Sequence, residues 1–416
     1  MMKVVIMAGG KGTRITSVAS DIPKPMILID GKPVLEHEIE CLRKQGFVDL
    51  ILTVSHLGNI IMDYFGDGSK FGVHIEYYFE KEPLGNAGAL FKIKDQLTDD
   101  FLLLNADAMF DVDFKRFVAY HKQHHGLVTL FTHPNSHPYD SGLIVSNASC
   151  QVEQWLAKED ARPTYYKNRV NAGLHVINKE VLNQTINTQK IDLDRQLLKP
   201  LAGTGKMYCY DSPEYVKDMG TPKRYYVVCD DFKEGRVQAK NLSQKQKAIF
   251  LDRDGTINKY VGFLRDVDQF ELLPNASKAI KKINDSGYLA IVVTNQPVIA
   301  RGEVTREELN EIHNKMETLL GQDGAYLDGI YYCPHHPHKG YEGEIVELKI
   351  DCDCRKPKPG MLIQASKDFN IDLNQSWMIG DSDNDTLAGK NAGCKTARVT
   401  DKESLYDIIE RLLCVC

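Results

Sequence analysis

Two aspartates separated by one residue form the first pattern that could do chemistry. The stretch FLDRDGT, residues 250–256, places Asp252 and Asp254 directly after an apolar run. Side chains alternate in direction along an extended chain, so both carboxylates point the same way. One of them could attack a phosphorus atom as a nucleophile while the other moves a proton.

The DxDGT pattern resembles the haloacid-dehalogenase-type (HAD) phosphohydrolase superfamily, and the other elements of that superfamily follow in order. The resemblance implies that Asp252 is the nucleophile and Asp254 the general acid/base. It also implies that Thr294, at the end of an apolar strand, and Lys356, in CRKP, hold the transferring phosphoryl group.

The same resemblance implies a magnesium site beside the nucleophile. Asp381 stands in the stretch GDSDND, residues 380–385. It would share Mg²⁺ with Asp252 and with the main-chain carbonyl of Asp254. Asp385 is expected to support this site rather than to coordinate the metal.

Two short pairs of cysteine and histidine suit a second kind of metal. Cys333 and His335 stand in CPHHPH, and Cys352 and Cys354 form CDC. Three thiolates and one imidazole close a tetrahedral zinc site with no open position, so the sequence predicts a structural ion. His336 is the alternative imidazole ligand.

The segments FLDRDGTIN, VVTNQ, ARG, CPHHP and CDCRKPKPGM together resemble the D-glycero-D-manno-heptose-1,7-bisphosphate 7-phosphatase family over about residues 246–400. The resemblance favours His335 as the zinc ligand. It implies that Asn295, Arg301 and Arg355 contact the sugar phosphate. The chain departs from the family at Pro297-Val298, where Ser-Gly is usual. Histidinol-phosphate phosphatases share the scaffold and remain the alternative.

A glycine-rich loop begins the N-terminal half. Residues 8–14 read AGGKGTR and follow a short apolar run, and PKPM follows at residues 23–26. Glycines let backbone N–H groups approach phosphate oxygens closely, and Lys11, Arg14 and Lys24 add positive charge. The loop matches neither the GxGxxG nor the Walker pattern.

AGGKGTR followed by PKPM resembles the sugar-phosphate nucleotidyltransferase family, and later segments fit it over about residues 3–230. The resemblance implies catalytic roles for Arg14 and Lys24. Sugar-phosphate binding is implied for Lys158, Asn171 and Gly173, although Ala157-Lys158-Glu159 lacks the usual Glu-Lys-Pro. The residues implied to bind the nucleotide are Ala8, Gly9, Gly10, Lys11, Gly12, Thr13, Glu82, Gly85, Asn86 and Asp107.

Two further aspartates are implied to hold Mg²⁺ in this half: Asp107, in NAD, and Asp218, in DMGTP. Attack of a sugar 1-phosphate on the α-phosphorus of a nucleoside triphosphate brings anions together. A metal ion between two carboxylates offsets that repulsion.

Strand-like runs alternate with amphipathic helical stretches in both halves, which predicts an α/β chain with parallel sheets. We expect two doubly wound domains. They are a Rossmann-like nucleotide-diphospho-sugar transferase domain at 1–235 and a HAD-like Rossmannoid domain with a zinc loop at 247–416, joined by a linker at 236–246. Predicted strands lie at 3–7, 50–54, 74–79, 101–104, 128–132, 247–251, 289–294 and 377–379, and predicted helices at 33–45, 113–124, 275–286, 306–320 and 360–369.

The 416 residues carry a net charge of -6 and are 43% hydrophobic. This balance predicts a soluble globular chain that does not bind nucleic acid. Without an apolar run of about 18 residues or a signal peptide, no membrane association is expected, and the thiols should stay reduced in the cytoplasm. The sequence does not set the oligomeric state.

Together these patterns predict a bifunctional enzyme. The phosphatase would remove the 7-phosphate of the heptose bisphosphate, and the transferase would join heptose 1-phosphate to a nucleotide, with GTP favoured. One alternative pairs a mannose or other hexose 1-phosphate nucleotidyltransferase with a histidinol-phosphate-type phosphatase. Another makes one half a non-catalytic module that senses a sugar nucleotide.

Overall fold

The computed structural model describes residues 2–10, 22–184, 186, 188 and 190–414. Its contacts divide the chain into two compact units. The first unit comprises residues 1–133, 144–156 and 171–241, and the second comprises 134–143, 157–170 and 242–416. The expected linker at 236–246 contains a short helix, Arg236–Ala239.

Parallel strands form the centre of the first unit. Its described strands are β1 (Val4–Met7), β2 (Leu28–Ile29), β3 (Lys32–Pro33), β4 (Asp49–Val54), β5 (His74–Phe79), β6 (Asp100–Asn105), β7 (Ala108–Asp111), β8 (Val128–His133), β9 (Leu143–Ser146), β10 (Val152–Leu156), β11 (Val170–Asn178), β12 (Met207–Asp211) and β13 (Tyr215–Asp218). Nine of them make one sheet in the order β10-β9-β11-β6-β1-β4-β5, with β8 pairing with β11 and β12. Strands β6, β1, β4 and β5 run parallel, so their carboxyl ends share one edge.

The sheet of the first unit has the predicted parallel centre but is mixed as a whole. Strand β11 runs antiparallel to β6 and extends the sheet beyond its parallel centre. Strands β7 and β13 pair antiparallel outside this sheet, with Ala108 opposite Asp218. Parallel pairing needs a long crossover, usually a helix, whereas antiparallel strands can follow one another through short loops.

The second unit has a parallel sheet, as predicted. Its described strands are β14 (Ala248–Leu251), β15 (Leu289–Asn295), β16 (Gly329–Cys333), β17 (Trp377–Gly380) and β18 (Lys395–Arg398), in the order β16-β15-β14-β17-β18. Each neighbouring pair is parallel. Strand β14 is buried along its whole length because it lies at the centre of the sheet.

Helices cover these sheets. The described α-helices are α1 (Val34–Lys44), α2 (Gly58–Phe65), α3 (Gly88–Lys92), α4 (Phe114–His124), α5 (Pro222–Lys233), α6 (Arg236–Ala239), α7 (Ala276–Asp285), α8 (Arg306–Gln322), α9 (Gly360–Asp368), α10 (Asp383–Ala392) and α11 (Leu405–Leu413). Short 3₁₀ segments include Lys24–Met26 and Pro138–Asp140, and Leu193–Leu198 is a π-helical turn. No helix among the described residues is both long and apolar enough to cross a membrane.

Amphipathic periodicity explains why the predicted helices form. Helix α7 buries Ala276, Ala279, Ile280 and Ile283 at helical spacing. The last three of these side chains belong to a hydrophobic core of the second unit. Helix α8 begins at a capping box formed by Thr305 and Glu308, which satisfies its first N–H groups.

Candidate active sites

Three strand ends of the second unit meet at one edge of its sheet and carry the expected phosphatase residues. Asp252 follows β14, and its N–H donates to the carbonyl of Ile379 in β17 at 2.9 Å. Thr294 is the residue before the last one of β15, and Asp381 directly follows β17. Because parallel strands share one carboxyl edge, residues far apart in sequence converge there.

A buried lysine holds the expected nucleophile. Lys356 is 3% exposed, and its Nζ lies 2.7 Å from Asp252 Oδ1 and 2.6 Å from Asp385 Oδ1. Asp385 also accepts from the N–H and the hydroxyl of Ser382, at 3.0 and 2.6 Å. Burial raises the pKa of Asp252 to about 6, although Lys356 opposes this. Asp385 therefore fixes the lysine, as its expected supporting role requires.

Three donors orient Asp254. Arg253, fully buried, reaches both of its carboxylate oxygens at 3.0 and 2.8 Å, Asn258 donates at 3.0 Å, and Gln296 donates at 2.9 Å. Burial alone would raise the pKa of Asp254, but these donors hold it below its usual value. Without substrate, these donors therefore keep the Asp254 carboxylate ionised. The negative charge of a bound phosphate would raise the pKa of Asp254, so that it could hold and donate a proton.

The carboxylates of this site suit a divalent cation. Oxygens of Asp252, Asp381 and Asp385 lie within 4.8 Å of one another. Gly255 has φ +80° and passes so close to Asp381 that a Cβ would collide with its carboxylate. Hard oxygen donors of this kind are what Mg²⁺ prefers. Asp252 and Asp381 would hold the ion, which would screen the charge of an incoming phosphate.

A pocket of about 300 Å³ brings the expected residues together. Its lining includes Asp252, Asp254, Thr294, Asn295, Arg355, Lys356 and Asp381. Asn295 fixes the lysine loop, because its side chain accepts from the N–H of Lys356 at 3.0 Å and donates to its carbonyl at 3.1 Å. Pro297 and Val298, the departure from the family pattern, also line the pocket.

Arg301 has a different environment from the pocket residues. Its guanidinium lies 4.3 Å from the ring centre of Phe263 and 4.5 Å from that of Tyr341. Its Nε also lies 2.9 Å from a Glu303 oxygen. The aromatic stacking fixes the loop that carries Phe263, itself a pocket residue.

The four predicted zinc ligands converge. Cys354 Sγ lies 3.3 Å from the Sγ atoms of Cys333 and Cys352 and 3.2 Å from His335 Nδ1, and all four ligand atoms lie within 4.8 Å. The hydrogen bond from Cys333 lowers the pKa of Cys354 to about 5. The three thiols are free, and three sulfurs with one imidazole nitrogen suit a tetrahedral zinc ion. His336 is not in this group; its Nδ1 lies 3.3 Å from the carbonyl of His338.

The first unit brings its two expected metal aspartates together. Pairing of β7 with β13 sets Ala108 opposite Asp218, so Asp107 lies beside it. Lys24, 8% exposed, bridges the two carboxylates, with its Nζ 2.5 Å from Asp107 and 3.3 Å from Asp218. Arg224 pairs with the other oxygen of Asp218 at 2.7 Å. Two half-exposed carboxylates beside fixed cations suit Mg²⁺ and a phosphate chain.

The expected sugar residues Asn171 and Gly173 lie on β11. The Oδ1 of Asn171 accepts from the N–H of Gly173 at 3.2 Å and lies 3.1 Å from Nε2 of His175, which is fully buried. Both contacts are made by the Oδ1 atom and fix the orientation of the Asn171 side-chain amide. Gly173 has φ +76°, and a Cβ there would collide with the side chain of Asn105.

The expected nucleotide-binding residues Glu82, Gly85 and Asn86 lie in a segment that is hydrogen-bonded to the chain around Ile191. The N–H of Ile191 donates to the carbonyl of Leu84, and that of Ala87 donates to Ile191. Asn86 accepts from the N–H of Leu193 at 2.7 Å, so its side chain fixes this arrangement. Gly85 lies within this segment, and Glu82 is exposed.

The glycine-rich loop is described only in part. Ala8 follows β1 and donates to the carbonyl of Thr53, and the carbonyl of Gly9 accepts from Ser55 at 2.6 Å. Gly10 is exposed. Lys11, Gly12, Thr13 and Arg14 lie outside the described residues.

Sequence reasoning missed the side chains that orient the catalytic groups. Arg253 stands between the two motif aspartates, and Gln296 stands in VVTNQ, so attention to these motif positions could have found both. Arg224 and His175 carried no comparable signal, since their contacts depend on the fold.

The folds and sites described above define a two-part enzyme, a nucleotidyl transferase joined to a HAD-type phosphatase. The chain belongs to the nucleotidyl transferase family, whose model matches residues 3–234, and in its C-terminal part to the heptose-bisphosphate 7-phosphatase family. A HAD-hydrolase-like model matches residues 353–407. These matches confirm the predicted fold class and the predicted pair of activities.

Each of these relatives is similar to one part of the chain, either the transferase or the phosphatase. D-glycero-beta-D-manno-heptose-1,7-bisphosphate 7-phosphatase of Pasteurella multocida (strain Pm70) is 48% identical over 150 residues, which cover 36% of this chain and 79% of that protein. The crystal structure of HddC from Yersinia pseudotuberculosis is 27% identical, with a TM-score of 0.49, and the match covers 56% of this chain and all of that one. A D,D-heptose 1.7-bisphosphate phosphatase from B. bronchiseptica, complexed with magnesium and phosphate, is 31% identical, with a TM-score of 0.36, and covers 41% of this chain and all of that one.

Proposed function

We propose that the chain performs two consecutive steps of heptose-nucleotide synthesis. The phosphatase site removes the 7-phosphate of D-glycero-D-manno-heptose 1,7-bisphosphate. The transferase site then joins heptose 1-phosphate to a nucleotide and releases pyrophosphate. The observation that carries this proposal is the pocket of Asp252, Asp254, Lys356 and Asp381, in a part that is 48% identical to a heptose-bisphosphate phosphatase.

The phosphatase chemistry follows from the charges of this site. Asp252 attacks the 7-phosphorus and forms an aspartyl phosphate, while Asp254 gives a proton to the leaving sugar oxygen. Asp254 then takes a proton from the water that hydrolyses the aspartyl phosphate. Lys356 and Thr294 hold the phosphoryl oxygens, and Asn295 and Arg355 contact the sugar phosphate. A bound Mg²⁺ would neutralise charge on the transferring group.

The transferase chemistry needs no protein nucleophile. The phosphate oxygen of heptose 1-phosphate attacks the α-phosphorus of the triphosphate, and the bond to pyrophosphate breaks. Lys24 stabilises charge in the transition state, Asp107 and Asp218 suit Mg²⁺, and Asn171 with Lys158 contacts the sugar phosphate. Residues 8–14 and 82–88 are the proposed nucleotide contacts.

The two steps fit one another chemically. Removing the 7-phosphate leaves the anomeric phosphate, which is the nucleophile that the second reaction requires. This order also favours GTP, by resemblance to the bacterial GDP-heptose route.

The structural zinc at Cys333, His335, Cys352 and Cys354 requires thiolates, which a reducing cytoplasm preserves.

The test is a substrate matrix with the full chain. Heptose 1,7-bisphosphate is supplied with each nucleoside triphosphate, and phosphate, pyrophosphate and sugar nucleotide are measured. Asp252→Asn should abolish phosphate release and spare transfer to heptose 1-phosphate, and Asp107→Asn should do the reverse. Absence of pyrophosphate release with every heptose or hexose 1-phosphate would reject the transferase assignment. Cleavage of histidinol phosphate in preference to the heptose would favour the alternative phosphatase.

A further inference from the structure

Helix α8 of the second unit buries polar side chains as well as an apolar face. The apolar face joins a hydrophobic core of that unit. A second stripe, at the helical spacing i, i+4 and i+8, consists of His313, Glu317 and Gly321, and all three residues are buried. Burying a polar side chain costs free energy unless the side chain has a partner. The partners of this stripe therefore indicate its role.

At His313 the stripe contacts the phosphatase site. Nε2 of His313 lies 3.2 Å from Nη1 of Arg253, which is fully buried. An arginine can only donate, so this nitrogen of His313 is the acceptor. Burial, together with the charge of Arg253, lowers the pKa of His313 to about 3, which keeps the ring neutral and able to accept. Because Arg253 donates to both carboxylate oxygens of Asp254, His313 helps to orient that carboxylate as well.

At Glu317 the stripe contacts a segment from the N-terminal part of the sequence. Residues 134–143 and 157–170, here called the supporting segments, belong to the second unit by their contacts. Arg169 is 5% exposed and Glu317 is 3% exposed, and Arg169 Nη1 lies 3.1 Å from Glu317 Oε1. Glu317 Oε2 accepts from the N–H of Asn168 at 3.2 Å. Removing one partner of such a buried pair leaves the other charge uncompensated, so the pair favours one position of the helix.

Further hydrogen bonds join the supporting segments to α8 and to each other. The N–H of Tyr166 donates to Thr318 Oγ1 at 2.9 Å. Asn168, which is fully buried, bonds both main-chain groups of Asn135, at 3.0 and 2.7 Å. Residues 157–170 are therefore fixed to the helix on one side and to residues 134–143 on the other.

Residues 134–143 also lie directly against the stripe. A Cβ atom on Gly321 would come within 2.8 Å of Cγ of Pro138, so the helix passes close to the 3₁₀ segment Pro138–Asp140. Both supporting segments therefore contact α8 within one or two helical turns of His313.

We propose that the supporting segments position Asp254 of the phosphatase through α8. Arg169 holds the helix at Glu317. The helix in turn holds Arg253 at His313, since its backbone hydrogen bonds keep the two turns in a fixed relation. The inference rests on the proposed phosphatase function. Its consequence is that the phosphatase depends on residues from the part of the sequence that carries the transferase motifs. Arg169, Glu317 and His313 are positioning residues, because they act through Arg253.

The test compares Glu317→Gln with wild-type full-length protein. The amide can still accept from Asn168, but the charge that pairs with Arg169 is lost. We expect kcat/KM for heptose 1,7-bisphosphate to fall about tenfold, because a misaligned Asp254 protonates the leaving sugar oxygen less well. The leaving group of p-nitrophenyl phosphate departs without a proton, so kcat/KM for this substrate should fall less than about twofold. Glu311→Gln, at an exposed position of the same helix, is the matched control and should change neither constant.

Combined variants test whether these contacts form one chain. Arg253→Lys already removes the two-pronged contact with Asp254, so adding Glu317→Gln to it should lower kcat/KM for the heptose bisphosphate no further. Arg169→Gln should reproduce the loss of the Glu317→Gln protein. Arg169→Lys, which keeps a positive charge beside Glu317, should recover part of the lost activity.

Three results would overturn the inference. They are an unchanged kcat/KM for the heptose bisphosphate in a folded Glu317→Gln protein, equal losses with the two substrates, and additive losses on the Arg253→Lys background. If Glu317→Gln does not fold, Thr318→Val, which removes the bond from Tyr166, replaces it under the same criteria. A wild-type protein that hydrolyses p-nitrophenyl phosphate but not the heptose bisphosphate would instead reject the proposed function, and histidinol phosphate would then serve as the alkyl substrate.

Discussion

At the scale of single residues, the proposed catalytic and metal-binding carboxylates pair with buried side chains of opposite charge. Arg253 holds Asp254, Lys356 holds Asp252, and Lys24 holds both Asp107 and Asp218. Each cation sits in a fixed geometry beside a carboxylate that has chemistry to perform. Such preorganised charges lower the reorganisation needed when a phosphate anion arrives.

Replacing Arg253 with lysine should impair the phosphatase. A lysine cannot make the two-pronged contact with Asp254, and it leaves the neighbouring His313 without its donor. We expect the phosphatase kcat to fall about 10- to 100-fold, measured as phosphate release, while transfer to heptose 1-phosphate is unchanged. The control is Arg265→Lys, at a half-exposed side chain. Full phosphatase activity of the Arg253→Lys protein would show that the two-pronged contact with Asp254 is dispensable.

Buried His175 should make the first unit sensitive to acid. Burial lowers its pKa from 6.5 to about 3, so the folded protein keeps it neutral while the unfolded chain takes up a proton below about pH 6.5. Stability is therefore present above pH 6.5 and is lost as the pH falls towards 3. The loss amounts to about 2–3 kcal/mol by pH 4.5.

Urea unfolding of the full-length protein at pH 7 and pH 4.5 tests this role of His175. His175→Gln should lose less stability between the two pH values than wild type, because glutamine does not titrate. His56→Gln, at an exposed site, should behave as wild type. Equal losses of unfolding free energy between pH 7 and pH 4.5 in all three proteins would contradict this role of His175.

At the scale of elements, contiguous motifs made the catalytic edge predictable. Strand β14 carries DxDGT at its end, and the sequence therefore located Asp252 and Asp254 correctly relative to the sheet. The antiparallel pairing of β11 with β6 was not predicted, because it depends on the tertiary fold. For the same reason the sequence showed neither the Arg253–His313 contact nor the Arg169–Glu317 ion pair.

The four expected zinc ligands should be required by the phosphatase reaction and not by the transfer reaction. Cys352 and Cys354 immediately precede Arg355 and Lys356, so zinc would fix the chain that delivers the catalytic lysine. Removing zinc with a chelator, followed by Mg²⁺ replenishment, should reduce the phosphatase kcat at least about tenfold and lower its melting temperature. Transfer activity should persist.

The variant Cys352→Ser should reproduce the effect of the chelator on the phosphatase. Cys414→Ser, at an exposed cysteine outside the cluster, is the control. Purified protein that contains no zinc and has full phosphatase activity would reject the metal site.

At the scale of the whole molecule, the two units are not two consecutive stretches of chain. The chain passes between them at 133/134, 143/144, 156/157, 170/171 and 241/242. The second unit therefore includes two segments from the transferase half of the sequence. Buried polar residues such as Asn168 and Arg169 make hydrogen bonds and an ion pair with partners within that unit.

Expressing residues 1–241 alone should yield a less stable transferase. Arg169 would lack Glu317, and Tyr166 would lack the hydroxyl of Thr318. We expect a melting temperature several degrees lower than that of the corresponding transition in the full chain. Residues 242–416 added in trans should restore it. A melting temperature equal to that of the full chain would show that these contacts contribute little.

The pairing of Arg169 with Glu317 also sets an order of events during protein synthesis. Arg169 and Glu317 are separated by 148 residues, so α8 leaves the ribosome long after the transferase strands have been made. At about 5–20 residues per second, this interval is roughly 7–30 s. Once the last strand of the sheet has been made, residues 157–170 still lack their bonds to α8. Residues 157–170 can form these bonds only after α8 of the phosphatase has been translated.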